Sequence, residues 1–88
     1  MKINQDFTIQ KVGASYLAVP VGETSRHFHG MIRLNEVGAF IWNTLAEKDL
    51  TEEELVDTVL SEYEADRAVV ETDVKNVLAI LRENHCLV

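Results

Sequence analysis

Within the stretch RLNEVGAFIW, Arg33 to Trp42, apolar residues stop alternating and begin to recur every third or fourth position. Side chains of a strand change face at every residue, whereas those of a helix return to one face after about 3.6. A chain that makes this change in two residues has a strand ending near Leu34 and a helix beginning at once. Asn35 is a suitable helix N-cap, because its side-chain oxygen can accept a backbone N–H that the first turn leaves unpaired. Glu36 beside it favours the positive end of the helix dipole.

Upstream of the switch the sequence reads as strands. FTIQKV (Phe7 to Val12) alternates apolar and polar residues, Gly13-Ala14-Ser15 signals a turn, and YLAVPV (Tyr16 to Val21) is β-branched and aromatic. Pro20 has no N–H for a ladder and belongs near a strand end or a bulge. A polar loop, GETSRHFHG (Gly22 to Gly30), leads to a third strand, MIRL (Met31 to Leu34). Ile32 and Leu34 should face one way, and Met31 and Arg33 the other.

Downstream, three helices are expected. Val37, Phe40, Ile41 and Leu45 form one apolar stripe. TEEE places Thr51 as N-cap and Glu54 three residues on, a capping box, ahead of a stripe of Leu55, Val56, Val59, Leu60 and Tyr63. The last helix should follow Asp66 and run to about Asn84, with Val70, Val74, Val77, Leu78 and Leu81 inward. Val69 and Ile80 widen its apolar arc beyond the ~100° that one buried face needs. The order predicts an α+β fold: a three-stranded antiparallel meander over about 7–34, then three helices over about 36–84, in a single domain spanning 1–88.

Composition narrows the function. Fifteen acidic residues against eight basic ones give a net charge of −7. Nucleic-acid binding draws on Lys and Arg neutralising phosphates, so that role is disfavoured, as is an anionic membrane surface. The apolar runs are too short to span a bilayer and the N-terminus lacks the apolar core of a signal peptide, so a cytoplasmic protein is expected. Cys86 stands alone, which precludes an internal disulfide. His27, His29, His85 and Cys86 raise the question of a metal, but a four-ligand zinc site is not encoded in that spacing. Cys86 reads more simply as a small apolar core residue. No nucleophile elbow, phosphate loop or H-E-x-x-H motif occurs, so neither catalysis nor a cofactor is expected.

LNEVGAFIWNTL (Leu34 to Leu45), TEEELVDTVLSEYEAD (Thr51 to Asp66) and DVKNVLAILRENHCLV (Asp73 to Val88) together resemble the PqqD-like family. These are the small winged-helix domains also called recognition elements for ribosomally made, post-translationally modified peptides. The likeness covers nearly the whole chain and is strongest from Met31 onward; the GETSRHFHG loop is longer than in the shortest members. It implies a winged helix-turn-helix-like domain without catalysis. Such a domain binds the leader region of a precursor peptide and presents it to a modifying enzyme, often a radical S-adenosylmethionine maturase. In this family the leader adds as an extra strand against the third strand, beside the last helix.

Carried onto this chain, the resemblance makes the backbone of Gly30, Met31, Ile32 and Arg33 the hydrogen-bonding edge. Val70, Val74, Val77, Ile80 and Leu81 become an apolar wall, with Arg33 and Asp73 as polar contacts. Each has a plainer reading. Val74 and Leu81 sit mid-stripe, where packing is the usual role. Asp73 could be a solvated carboxylate, and Arg33 a charge that guards an edge strand against aggregation. Ile80 and Val69, at the stripe's margin, suit a groove better. The alternative function is a winged-helix DNA-binding or transcription-associated protein. TEEELVDTVLSEY carries no basic residue, and Arg67, Lys75 and Arg82 are interleaved with Glu71, Asp73 and Glu83, which argues against it. A third reading, an enzyme subunit whose groove holds another protein's strand, is compatible with the same residues.

Overall fold

The computed structural model describes residues 1–22 and 31–88. Strand β1 (Phe7–Val12) pairs antiparallel with β2 (Ser15–Pro20), which pairs antiparallel with β3 (Ile32–Leu34), giving a sheet of order β1-β2-β3. Helices α1 (Glu36–Glu47), α2 (Glu52–Glu62) and α3 (Arg67–Glu83) follow. This is the α+β order expected. Val12 pairs with Ser15 across the two-residue turn, where Gly13 takes φ +62. A positive φ at the first loop position matches a type II′ hairpin, which glycine enters without steric cost. Ser15 therefore belongs to the strand rather than the turn, while Val21 and Met31 fall outside β2 and β3.

The strand-to-helix switch has a compact physical cause. Asn35 Oδ1 accepts the Gly38 N–H at 2.8 Å, closing the first turn of α1. A Cβ on Gly38 would lie 3.2 Å from Leu34 Cβ and 3.3 Å from Leu34 Cδ2. The missing side chain thus relieves a tight approach where the helix begins this close to the strand it follows. One turn further on, Trp42 is 2% exposed in the core. Thus the L-N-x-x-G-x-x-x-W pattern is a joint: an anchor, a cap, a gap and a core aromatic.

At α2 the expected capping box is present. Thr51 Oγ1 accepts the Glu54 N–H at 3.2 Å, and Glu54 Oε1 accepts the Thr51 N–H at 2.9 Å. Asp66 precedes α3 without a side-chain capping bond. The core gathers Phe7, Ala18, Ile32 and Leu34 from the sheet with Ile41, Trp42 and Leu45 of α1, Leu55, Val56 and Val59 of α2, and Val70, Val74, Leu78 and Leu81 of α3. Val77 differs from expectation: it is half-buried, packed against the core's edge rather than within it. Phe40 and Tyr63 meet edge-to-face at the α1–α2 corner, 5.5 Å between centroids.

The termini are tied into this core. Ile3 and Leu87 form an antiparallel bridge. The Asn4 N–H donates to Cys86 O at 2.7 Å and the Val88 N–H to Lys2 O at 2.9 Å. Ile3 and Cys86 are buried beneath them.

Because Asn35 fixes where β3 ends, Asn35→Ala should lower unfolding stability by about 1 kcal/mol, the usual worth of an N-cap. Chemical denaturation would measure it, and amide exchange in β3 should quicken with the loss.

Candidate functional site

β3 forms one edge of the sheet: among the described residues its only strand partner is β2. Alternate backbone groups on such an edge point outward and lack a ladder partner. Ile32 and Leu34 turn inward, 6% and 4% exposed, while Arg33 between them is exposed on the outer face. Met31, just before the strand, is 68% exposed. Gly30, with His27 and His29, lies outside the described residues.

α3 presents three different surfaces. Val70, Val74, Leu78 and Leu81 are buried, so the side chains of Val70, Val74 and Leu81 are core and line no open wall. One flank, with Arg67, Glu71 and Lys75, opens on α2 and forms a polar cleft of about 300 Å³ with Glu52, Glu53 and Val56. The other flank, away from α2, carries Val69 (53% exposed), Asp73 (exposed), half-buried Val77 and Ile80 (41% exposed). Helical spacing puts these four on a single stripe beside the core stripe. Of the residues expected to form a wall, only Val77 and Ile80 therefore remain at the surface, together with Asp73, expected as a polar contact. Val69, expected with Ile80 to suit a groove, joins them. Isolated apolar residues on a surface are ordinary; here Val69, Val77 and Ile80, interrupted by Asp73, give the open flank of α3 an apolar margin.

Charge is divided between the layers. Residues 1–34 hold four basic and two acidic side chains, and residues 35–88 four basic and thirteen acidic, totals of +2 and −9. On α3, Arg67 is already engaged: Nη1 lies 2.9 Å from Asp57 Oδ1 and Nε 3.3 Å from Glu71 Oε1. With no basic residue in α2 and this arginine held by carboxylates, neither helix offers the free basic stripe a DNA reader needs.

A cleft that sequence reading did not anticipate lies at the opposite edge. About 330 Å³ opens between β1 and α1, with Ile3, Phe7, Ile9 and Trp42 at its apolar side and Lys2 and Asn43 at its rim. It exists because the N-terminal segment folds against α1, where the Ile3 N–H donates to Leu45 O at 3.1 Å. No local pattern in the sequence encodes that contact.

The His85-Cys86 pair has a backbone explanation. His85 adopts φ 61, its N–H donates to Arg82 O at 3.1 Å, and the Cys86 N–H donates to Leu81 O at 2.8 Å. These two bonds are the Schellman closure of α3, with Cys86 as the apolar residue that follows it. Cys86 is fully buried, and burial pushes its thiol up to about 11. Among the described residues no three of His, Cys, Asp and Glu gather as metal ligands would.

The fold defines an α+β domain with an open third strand and a last helix whose free flank has an apolar margin. The chain matches the family model described as "Coenzyme PQQ synthesis protein D (PqqD)" over residues 21–87. It belongs to the PqqD family. Among solved structures it is similar to one titled "TbiB1 in Complex with the TbiA(beta) Leader Peptide". That similarity is 29% identity and a TM-score of 0.74, over 99% of this chain and 94% of that one. A second, "Lasso peptide synthetase B1 complexed with the leader peptide", shares the fold at TM-score 0.71 and 18% identity, over 99% and 95% of the two chains. No curated protein matches the sequence.

The Cys86 thiol ties stability to alkaline pH. Its folded pKa lies above the unfolded value of 9.0, so its contribution is whole below that pH. It is lost as pH rises toward about 11, because the unfolded chain releases its proton first. Tyr63 acts in the same sense, its phenol raised by burial and then by Glu36 and Glu62. Denaturation midpoints should fall across this window, and Cys86→Ala should flatten the part of the slope due to the thiol.

Proposed function

We propose that this chain is a leader-peptide-binding domain that receives the leader of a ribosomally made precursor and presents it to a peptide-modifying enzyme in the cytoplasm. It does not catalyse the modification itself. The observation that carries the reading is the exposed β3 edge, lying in a PqqD-family domain whose 29%-identical structural neighbour is named for its complex with a leader peptide.

The physics of the edge suits that role. An extended segment adding beside β3 would satisfy the outward N–H and C=O groups that alternate along Ile32–Leu34, with Gly30 and Met31 extending the edge. Backbone pairing of this kind gives affinity with little regard to sequence, while side-chain pockets supply choice. Residues of the added strand that point inward would meet Val77 and Ile80, with Asp73 as a polar neighbour. Buried Val70, Val74 and Leu81 would hold that surface rigid from behind. Ordering a flexible leader costs free energy, so a preformed wall and edge are what keep the affinity useful.

Titration calorimetry with the leader segment of a precursor peptide, sought among the neighbouring genes, tests the proposal. Roughly micromolar or tighter binding is expected, with slowed amide exchange at β3. Absence of heat, or protection confined to β1, would refute it. Ile80→Ala should weaken binding about tenfold, equivalent to ~1.4 kcal/mol of lost contact, with little change in the denaturation midpoint. Leu78→Ala, at a fully buried site, should instead cost about 2–5 kcal/mol of stability.

A further inference from the structure

Given strand addition at β3, as proposed above, we infer that Arg33 selects an acidic side chain at the one register position of the incoming strand that lies opposite it. In a β-sheet, residues directly opposite one another on neighbouring strands project from the same face. Arg33 pairs with Leu17 on β2, and Leu17 with Gln10 on β1, so these three form one row across the outer face. A strand added at the free edge extends this row by one residue, and that residue meets Arg33 on its open side.

The outer face makes the selection charge-specific. Beside Arg33 its row holds only Gln10 and Leu17, the next row Thr8 and Val19, and the hairpin end Val12 and Ser15, none of them charged. Lys11, the other cation of the strands, belongs to the inner face, 5.8 Å from the centroid of Tyr16. Among the described residues Arg33 makes no ion pair. Glu36, three residues on at the start of α1, forms no salt bridge with it. The thirteen carboxylates of residues 35–88 belong to the helical portion. The residue of the leader that lies opposite Arg33 therefore faces a guanidinium that no described residue pairs with, although the chain as a whole is strongly acidic. Inward-pointing residues face the apolar margin of α3. The ligand class is thus an extended segment alternating apolar residues with an Asp or Glu at a fixed outward position. Opposite charges paired across strands attract and like charges repel, so the position is selected both for an acid and against a base.

The test is selection of a displayed library of random linear peptides against the protein and against Arg33→Glu. Amide exchange then locates each selected peptide on the domain. Peptides that protect β3 should carry Asp or Glu at one constant position. Arg33→Glu should weaken them about tenfold, and changing that acidic residue to Lys should restore binding to the variant alone. The Arg33 side chain makes no ion pair or hydrogen bond among the described residues, so the variant's denaturation midpoint should match the parent's. If selected peptides protect β3 but show no charge preference and bind both proteins alike, Arg33 only guards the edge and the inference is overturned. If no peptide is selected, or none protects β3, strand addition itself fails and takes the inference with it.

Discussion

The joint between β3 and α1 is the contact on which the rest of the molecule depends. Leu34 anchors the strand end in the core, Asn35 closes the helix turn through the Gly38 N–H, and Gly38 leaves the space that lets the two elements meet. Were the turn looser, β3 would lose its end point, and Ile32 and Leu34 their shared inward face. A one-residue slip would turn every side chain of that short strand to the opposite side. The register that buries Ile32 and exposes Arg33 is therefore secured at one end by a cap and a missing Cβ, not by the length of the strand.

α3 completes the arrangement by dividing its circumference. Its buried stripe is the back wall of the core, and its Arg67–Lys75 flank opens on α2. Only the Val69–Ile80 flank is left both apolar and open. The C-terminal closure through His85 and Cys86, clamped by the bridge from Ile3 to Leu87, holds the end of this helix in place. A binding edge is useful when it is already ordered before its ligand arrives, since ordering on both sides would consume the affinity.

Electrostatics reinforces the division of labour between the layers. Residues 35–88 carry thirteen of the fifteen acidic side chains, and the outer face of the strands carries one cation with no opposing group in the strands. The acidic helical surface keeps the domain away from phosphate backbones. The sheet edge remains open to an extended chain of suitable charge.

Much of the architecture was written locally in the sequence. The β-β-β-α-α-α order, the Asn35 cap, the Thr51–Glu54 capping box and the bounds of α3 all follow from periodicities and capping residues acting within a few positions, which a linear reading can detect. The core role of Cys86 was legible for the same reason, as a small apolar residue in an apolar setting. What the tertiary structure alone decided were matters of which face meets what. Val70, Val74 and Leu81 are core while Val69 and Ile80 stand open, because α1 and α2 pack on α3 from particular directions that its own periodicity does not specify. The cleft beside β1 and the clamp between the termini depend on pairings between residues as far apart as Ile3 and Leu87. Such pairings form only when the whole chain closes on one core, so no local pattern announces them.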